Sequence, residues 1–401
     1  MKILYHHRTA SRDGQAVHIE EMIAALRAQG HEVRVVAPQI GGGDAGGAGS
    51  MGASAGWVRR LKARLPRGLY ELLELAYSLL AYRRLAAVVR EYRPDVLYER
   101  YNLYLVAGAL IRRRMGVPLL LEVNSPLVYE RSRHDGGLAL PRLAAWSEGF
   151  AWRGADYVLP VTAVLAGHVR DYGVPAERIV VLQNGINAEH FADAPDMDAA
   201  KARLELQGRL VLGFTGFVRE WHGVDRVVRW LAGPDAPANA LLLVVGDGPA
   251  RADLEGLARE LDVSQKVRFT GVLHRDLVPA HVAAFDVALQ PAVTPYASPL
   301  KLMEYLVLGK AIVAPAQPNL LELLSNGENA LLFDPHIANA FESALTQLCA
   351  DASLRTTLAA GARLTIGRQH LTWEGNARRV VALAAALAPR THAGLSTGVA
   401  R

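Results

Sequence analysis

Between Ser298 and Lys310 the chain reads Ser-Pro-Leu-Lys-Leu-Met-Glu-Tyr-Leu-Val-Leu-Gly-Lys, which predicts a helix capped by Ser298, opened by Pro299 and ended at Gly309. Lys301 then stands in the first turn, where the backbone dipole favours an anion; an uncompensated cation there costs roughly 0.3–1 kcal/mol. A bound phosphate would remove that cost. Glu304 falls one turn deeper on the same face. A nucleoside diphosphate fits the pair, with Lys301 on phosphate and Glu304 accepting from ribose hydroxyls; an ordinary surface ion pair at this spacing is the alternative. A second cationic helix entrance is the loop Thr215-Gly216-Phe217-Val218-Arg219-Glu220-Trp221-His222-Gly223, ahead of a helix starting near Val224. Gly216 permits close backbone approach, free amides bind an anion, and Arg219 adds a forked charge. The bland reading is an exposed arginine beside a structural tryptophan. Two such entrances in one domain point to a diphosphate clamp.

Other candidates carry less information. Gly246-Asp247-Gly248-Pro249 is a strand-to-helix turn that either borders the nucleotide or is purely structural, and Gly14-Gln15 precedes the first helix, which then presents amides across a cleft. His6 and His7 end the first strand, and Glu122, Asn124, Glu130 and Arg131 are candidates for the acceptor side. Gly41, Gly43 and Gly46 match the spacing of a dinucleotide-binding turn, but the segment is glycine-rich throughout and no amphipathic helix follows. The sequence holds no H-E-x-x-H motif, metal-type cysteine pair or G-x-S-x-G elbow, which argues against metallohydrolase and serine hydrolase chemistry.

The elements that must position these groups follow from periodicity. Ile3 to His6 reads as a strand, Ala16 to Gln29 as a helix and Val33 to Val36 as the next strand. Further strands are expected at 94–99, 117–123 and 155–161, with a helix at about 102–114. After a turn at Asn184-Gly185 and a polar connection, a second alternation runs from strand 209–215 to strand 311–314. The expected fold class is therefore α/β: an N-terminal domain over 1–186 with a flexible low-complexity insertion at 41–56, a linker at 187–208, a second domain over 209–368, a helix at 369–390 and a tail at 391–401. Ligands of such sheets bind beyond the carboxyl ends of the strands.

The 401 residues suffice for two domains, and 51% hydrophobic with 21% charged residues is ordinary for a globular protein. The 44 cationic and 39 acidic side chains give a net charge of +5, too diffuse for nucleic acid and compatible with phosphorylated small molecules or an anionic membrane. The basic, apolar-interleaved stretch Trp57 to Arg67 suits the latter, or is a solvated helix end. No apolar run approaches the roughly 20 residues of a spanning helix, and the N-terminal run is too short for a signal peptide. The single cysteine, Cys349, excludes an internal disulfide, is compatible with a reducing cytosol, and reads as a packing residue.

Taken together, these segments resemble the GT-B glycosyltransferases of the family 4 type. The resemblance covers most of the chain: Gly30-His31-Glu32-Val33, Gly154-Ala155-Asp156 with Val161-Thr162, Val181 to Asn187 with Phe191, the Gly216–Gly223 loop, Gly246 to Pro249, Glu304 in its helix, and Leu371 to Asn376. It implies two Rossmann-like domains facing across a cleft, an N-terminal acceptor-binding domain, a C-terminal nucleotide-sugar domain, and a final helix crossing back to the first. It further implies retaining, metal-independent transfer from a nucleotide-diphosphate sugar, used as co-substrate, to a glycan or lipid-linked acceptor in surface or extracellular polysaccharide synthesis. That setting is the cytoplasm or the inner face of the cell membrane. The family commonly carries two glutamates eight positions apart; Glu304 is the second, and Tyr296 stands at the first. The family's loop lysine is His222, which leaves Arg219 and Lys301 as the cations, and a histidine of the acceptor side is replaced by Asn124. A nucleotide-sugar epimerase of this shape and an inactive nucleotide-sugar-binding protein are the rival readings.

Overall fold

The computed structural model describes residues 1–9, 14–38, 65–133 and 137–387; the expected insertion at 41–56, the tail at 391–401 and most of Trp57 to Arg67 lie outside them. Five strands form the first sheet: β1 (Lys2–His6), β2 (Glu32–Val36), β3 (Val96–Arg100), β4 (Leu119–Val123) and β5 (Tyr157–Pro160). Six form the second: β6 (Leu210–Thr215), β7 (Ala240–Val245), β8 (Val267–Phe269), β9 (Val287–Leu289), β10 (Ala311–Pro315) and β11 (Leu331–Phe333). All pairings between these strands are parallel. The orders are β2-β1-β3-β4-β5 and β11-β10-β9-β6-β7-β8. Connections therefore reverse direction between β1 and β3 in one sheet and between β6 and β9 in the other, and at such switch points a crevice opens beyond the strand ends.

Parallel strands covered by helices on both faces must be apolar throughout, and β6 and β7, reading Leu-Val-Leu-Gly-Phe-Thr and Ala-Leu-Leu-Leu-Val-Val, are buried along their whole length. Gly213 interrupts β6 for a steric reason: a Cβ there would lie 2.1 Å from the Phe285 ring. Each sheet packs between helical layers, so each domain has apolar clusters on both faces.

The structure adds detail to two expectations and corrects a third. The connection at 187–208 holds two short helices, Glu189–Ala192 and Met197–Arg203, with Phe191 and Leu206 buried in the second domain's core. Asn184-Gly185 marks a close crossing: a Cβ on Gly185 would meet the Thr372 carbonyl carbon and the Trp373 amide nitrogen at 2.6 Å, where the returning chain passes. The Leu300–Val307 helix starts after Pro299, and Ser298 does not cap it; the Asn184 side-chain amide donates to the Ser298 carbonyl at 2.6 Å, tying the two domains together.

The chain returns to the first domain at its end. Helix Trp373–Leu387 buries Trp373, Ala377, Val380 and Ala384 against helix Gly14–Ala28 and the first sheet. The Asn376 side chain donates to the Gln183 carbonyl at 2.7 Å, so both interdomain crossings are pinned to each other.

Candidate functional site

A cleft of about 570 Å³ lies between the domains, lined from the first by Gly14, His18, Arg100 and Asn124 and from the second by Gly216, Arg219, His222, Gln290, Lys301 and Glu304, among others. Its walls are the loops after β1, β3 and β4 on one side and after β6 and β9 on the other.

Lys301 projects from the first turn of the Leu300–Val307 helix with its Nζ 3.7 Å from the Phe214 ring centroid. The aromatic face attracts the cation without neutralising it. Burial pushes its ammonium down to about 7, even though the nearby Glu304 opposes the shift. Glu304 is the complement: burial raises its carboxyl to about 7, against Lys301 and Arg275. Glu304 Oε2 is buried without a hydrogen-bond partner, so the pair is not the simple surface ion pair. An acceptor left bare beside a desolvated cation is what a ribose and phosphate would complete.

Arg219 is held by stacking, its guanidinium 4.9 Å from the Phe217 ring centroid and 4.8 Å from that of Trp221. The planar group is thereby oriented with no carboxylate partner among the described residues, which leaves its forked donors for a ligand. His222 joins them: its Nδ1 lies 3.1 Å from the Arg219 amide nitrogen and accepts that proton, which fixes the Nε2–H tautomer. Burial, then the charges of Lys301 and Arg219, hold its imidazole down to about 2, so it is a neutral donor. That mutual influence places the three groups in one crevice.

The loop's shape depends on glycines behind it. Gly216 sits at φ +119°, open to Lys301, and a Cβ on Gly246 would come within 2.2 Å of the Gly216 carbonyl oxygen. A Cβ on Gly248 would meet the Val218 carbonyl oxygen at the same distance, and the Val218 amide donates to the Asp247 carbonyl at 2.9 Å. Gly246 therefore does not line the cleft as a nucleotide-binding residue; it buttresses the loop that does.

Two acceptor-side expectations are likewise corrected. His6 is locked in the first domain, its Nδ1 2.6 Å from Glu99 Oε2. Glu122 is buried under the cleft, accepting from the Tyr98 hydroxyl at 2.8 Å and from Arg100 and Asn124, with His18 Nε2 at 3.0 Å. Burial alone would raise its carboxyl, but His18 and Arg100 hold it below the usual carboxylate range. Glu122 thus anchors three residues that do line the cleft: Arg100, Asn124 and His18. His18 is also stacked at 4.7 Å on Trp373 from the returning helix.

Sequence reasoning missed several lining groups. Thr215 Oγ1, Gln290 Oε1 and Asn184 Oδ1 are buried without partners in the cleft wall. Thr215 and Asn184 adjoin the glycines that drew attention, so position next to a close-approach glycine was the available signal; Gln290 offered none. Tyr296, at the first glutamate position, directs its hydroxyl at Glu130 Oε2 of the first domain, 3.2 Å away, while Ser125 donates to the same oxygen at 2.7 Å. A carboxylate thus enters this part of the cleft from the opposite wall.

Residues 13–185 match the model of the glycosyl transferase 4-like domain, and residues 196–365 that of glycosyl transferases group 1. The chain is 31% identical over 198 residues to the 2-deoxystreptamine glucosyltransferase of Streptomyces kanamyceticus, covering 47% of this chain and 50% of that one. It is 31% identical over 253 residues to the 2-deoxystreptamine N-acetyl-D-glucosaminyltransferase of Streptomyces fradiae, 59% of each. The matches thus span between half and three fifths of these relatives' lengths. HepE of Anabaena, solved in complex with UDP, superposes with a TM-score of 0.72 at 18% identity, covering 96% of this chain and 100% of that one; it has also been solved with UDP-glucose. Two transferase domain models in tandem, on two facing Rossmann-like sheets, identify the chain as a member of the GT-B glycosyltransferases of the family 4 type.

Proposed function

We propose that the protein is a retaining glycosyltransferase that moves a sugar from a nucleotide-diphosphate donor to a glycan or lipid-linked acceptor in surface or extracellular polysaccharide synthesis, without a metal ion. The observation that carries this reading is the convergence of Lys301, Arg219 and the His222 donor on one crevice beside the unpartnered Glu304. Transfer of a glycosyl group develops negative charge on the departing diphosphate, and donors already aimed at that charge lower the barrier without reorganising. Lys301, largely desolvated before binding, gains its full charge as the diphosphate arrives. Arg219 grips two phosphate oxygens through its fork, and His222 donates through Nε2. Glu304 accepts from the ribose. With the leaving group stabilised on one face, the acceptor enters from the first domain's wall, and domain closure excludes water. The names of the Streptomyces relatives add 2-deoxystreptamine as a small acceptor worth including beside lipid-linked glycans.

The test is release of nucleoside diphosphate from a panel of nucleotide sugars with and without acceptors. Acceptor-dependent release with the anomeric configuration kept in the product is expected. An isomerised donor with no acceptor would establish an epimerase, and tight donor binding with no turnover would establish a binding protein.

A further inference from the structure

Helix Arg67–Tyr92 runs along the outside of the first domain with its amphipathic pattern inverted over the first four turns. Its inward side chains are polar and buried: Glu71 accepts from the Tyr104 hydroxyl at 2.7 Å, Glu74 accepts from both Arg131 nitrogens at 2.7 and 3.2 Å, and Ser78 accepts from the Val106 amide at 3.1 Å. Leu69, Leu72, Leu73, Leu79 and Leu80 point the other way, between 44% and 61% exposed. At 100° per residue these leucines share one face, with Ala76 among them, directly opposite Glu71, Glu74 and Ser78. Among the described residues none of these leucines belongs to an apolar cluster. Isolated exposed leucines are ordinary, whereas five on one face of four turns form a continuous apolar surface of the kind that marks an interaction site.

Charge identifies the occupant. The same outward face continues with the exposed Arg83 and Arg84 and, beyond Ala87, Arg90. Between residues 67 and 90 the helix has only two carboxylates, Glu71 and Glu74, both turned inward; the next, Glu91, is paired with Arg34 at 2.9 Å. Leucines bordered by arginines, with no outward carboxylate, match the boundary of an anionic bilayer, where leucines enter the acyl edge and guanidiniums meet lipid phosphates. A second copy of this chain packed in parallel would set these arginines against each other, and an antiparallel one would set Arg83 and Arg84 beside the helix start, which has no carboxylate before Glu71. We propose that the outward face of helix Arg67–Tyr92, from Leu69 to Arg84, is a docking surface for the anionic lipid bilayer. The basic stretch noted in the sequence at 57–64 lies outside the described residues. Docking here does not depend on the transfer reaction, although the inner side of the same helix reaches the cleft through Glu74 and Arg131.

The experiment is co-sedimentation of the full chain with vesicles of phosphatidylcholine alone or with added phosphatidylglycerol, beside light scattering and a thermal melt. The wild type is expected to pellet with the anionic vesicles and to be released by high salt. The triple variant Leu72→Ser, Leu79→Ser, Leu80→Ser should lose about tenfold or more of its partitioning with an unchanged melting temperature, since these side chains leave water only on the membrane. Arg83→Glu with Arg84→Glu should lose binding and its salt dependence together. Nucleotide-induced thermal shifts should be unaltered in both variants, which separates this proposal from the donor site. A wild type that ignores vesicles, or a leucine variant that binds equally well, overturns it. So does a wild-type dimer, converted to monomer by the leucine changes, that does not bind vesicles.

Discussion

Lys301 concentrates the chemistry of the second domain in one titration. Its ammonium lies at about 7 in the free protein against 10.5 for an unburied lysine. Because the unfolded state holds more protons over that interval, the nucleotide-free protein should gain stability as pH rises from 7 toward 10.5, and lose it on return. A bound diphosphate favours the charged form, so binding should take up a proton above pH 7, with affinity falling by up to about tenfold per pH unit. Calorimetry in buffers of different ionisation enthalpy measures that proton directly. Arg219→Ala and Lys301→Ala should each lower kcat/KM by about 10²–10³-fold, a loss typical of removing a preorganised donor to developing charge. At this scale the sequence was readable where a charge opposed its local field, as Lys301 does at a helix start. It was unreadable where burial decided: His6 and Glu122 are chemically able, yet His6 is consumed by Glu99, 93 residues away, and Glu122 by Tyr98 and Arg100, more than 20 residues away in sequence.

Among the elements, the Gly216–Gly223 loop and the turn behind it form one unit. Gly248→Ala would drive a Cβ to within 2.2 Å of the Val218 carbonyl, displacing the segment that carries Arg219. That variant should bind nucleotide at least tenfold more weakly and melt at lower temperature, whereas the open Gly327→Ala, at φ +76°, should lower the melting temperature and leave nucleotide binding intact. The returning helix makes a comparable prediction. Trp373 is buried against the first domain and stacked on His18, so Trp373→Ala should cost about 3–5 kcal/mol of stability in a denaturant titration. The strands were legible because parallel strands buried on both faces are continuous apolar runs, as in β6 and β7. Helix Arg67–Tyr92 was not assigned, because the usual stripe of inward apolar residues is replaced over four turns by Glu71, Glu74 and Ser78.

At the scale of the whole molecule, the two sheets present their switch points to one cleft, and the domains are joined by two crossings pinned through Asn376 and Gly185. Their order along the chain was visible in the sequence; the contacts across the cleft were not. Tyr296 with Glu130, and Asn184 with Ser298, join residues more than a hundred positions apart with no shared periodicity. If charge stabilisation belongs to Arg219 and Lys301, transfer should persist in a chelator, with less than twofold loss of rate in a discontinuous product assay. The most direct test of the central claim, that cations of the second domain grip the leaving diphosphate, is calorimetric binding of nucleoside diphosphates and the matching monophosphates to wild type, Arg219→Ala and Lys301→Ala. Wild type should prefer the diphosphate by about tenfold or more, with the preference lost in both variants. An undiminished diphosphate preference in both variants would contradict the account.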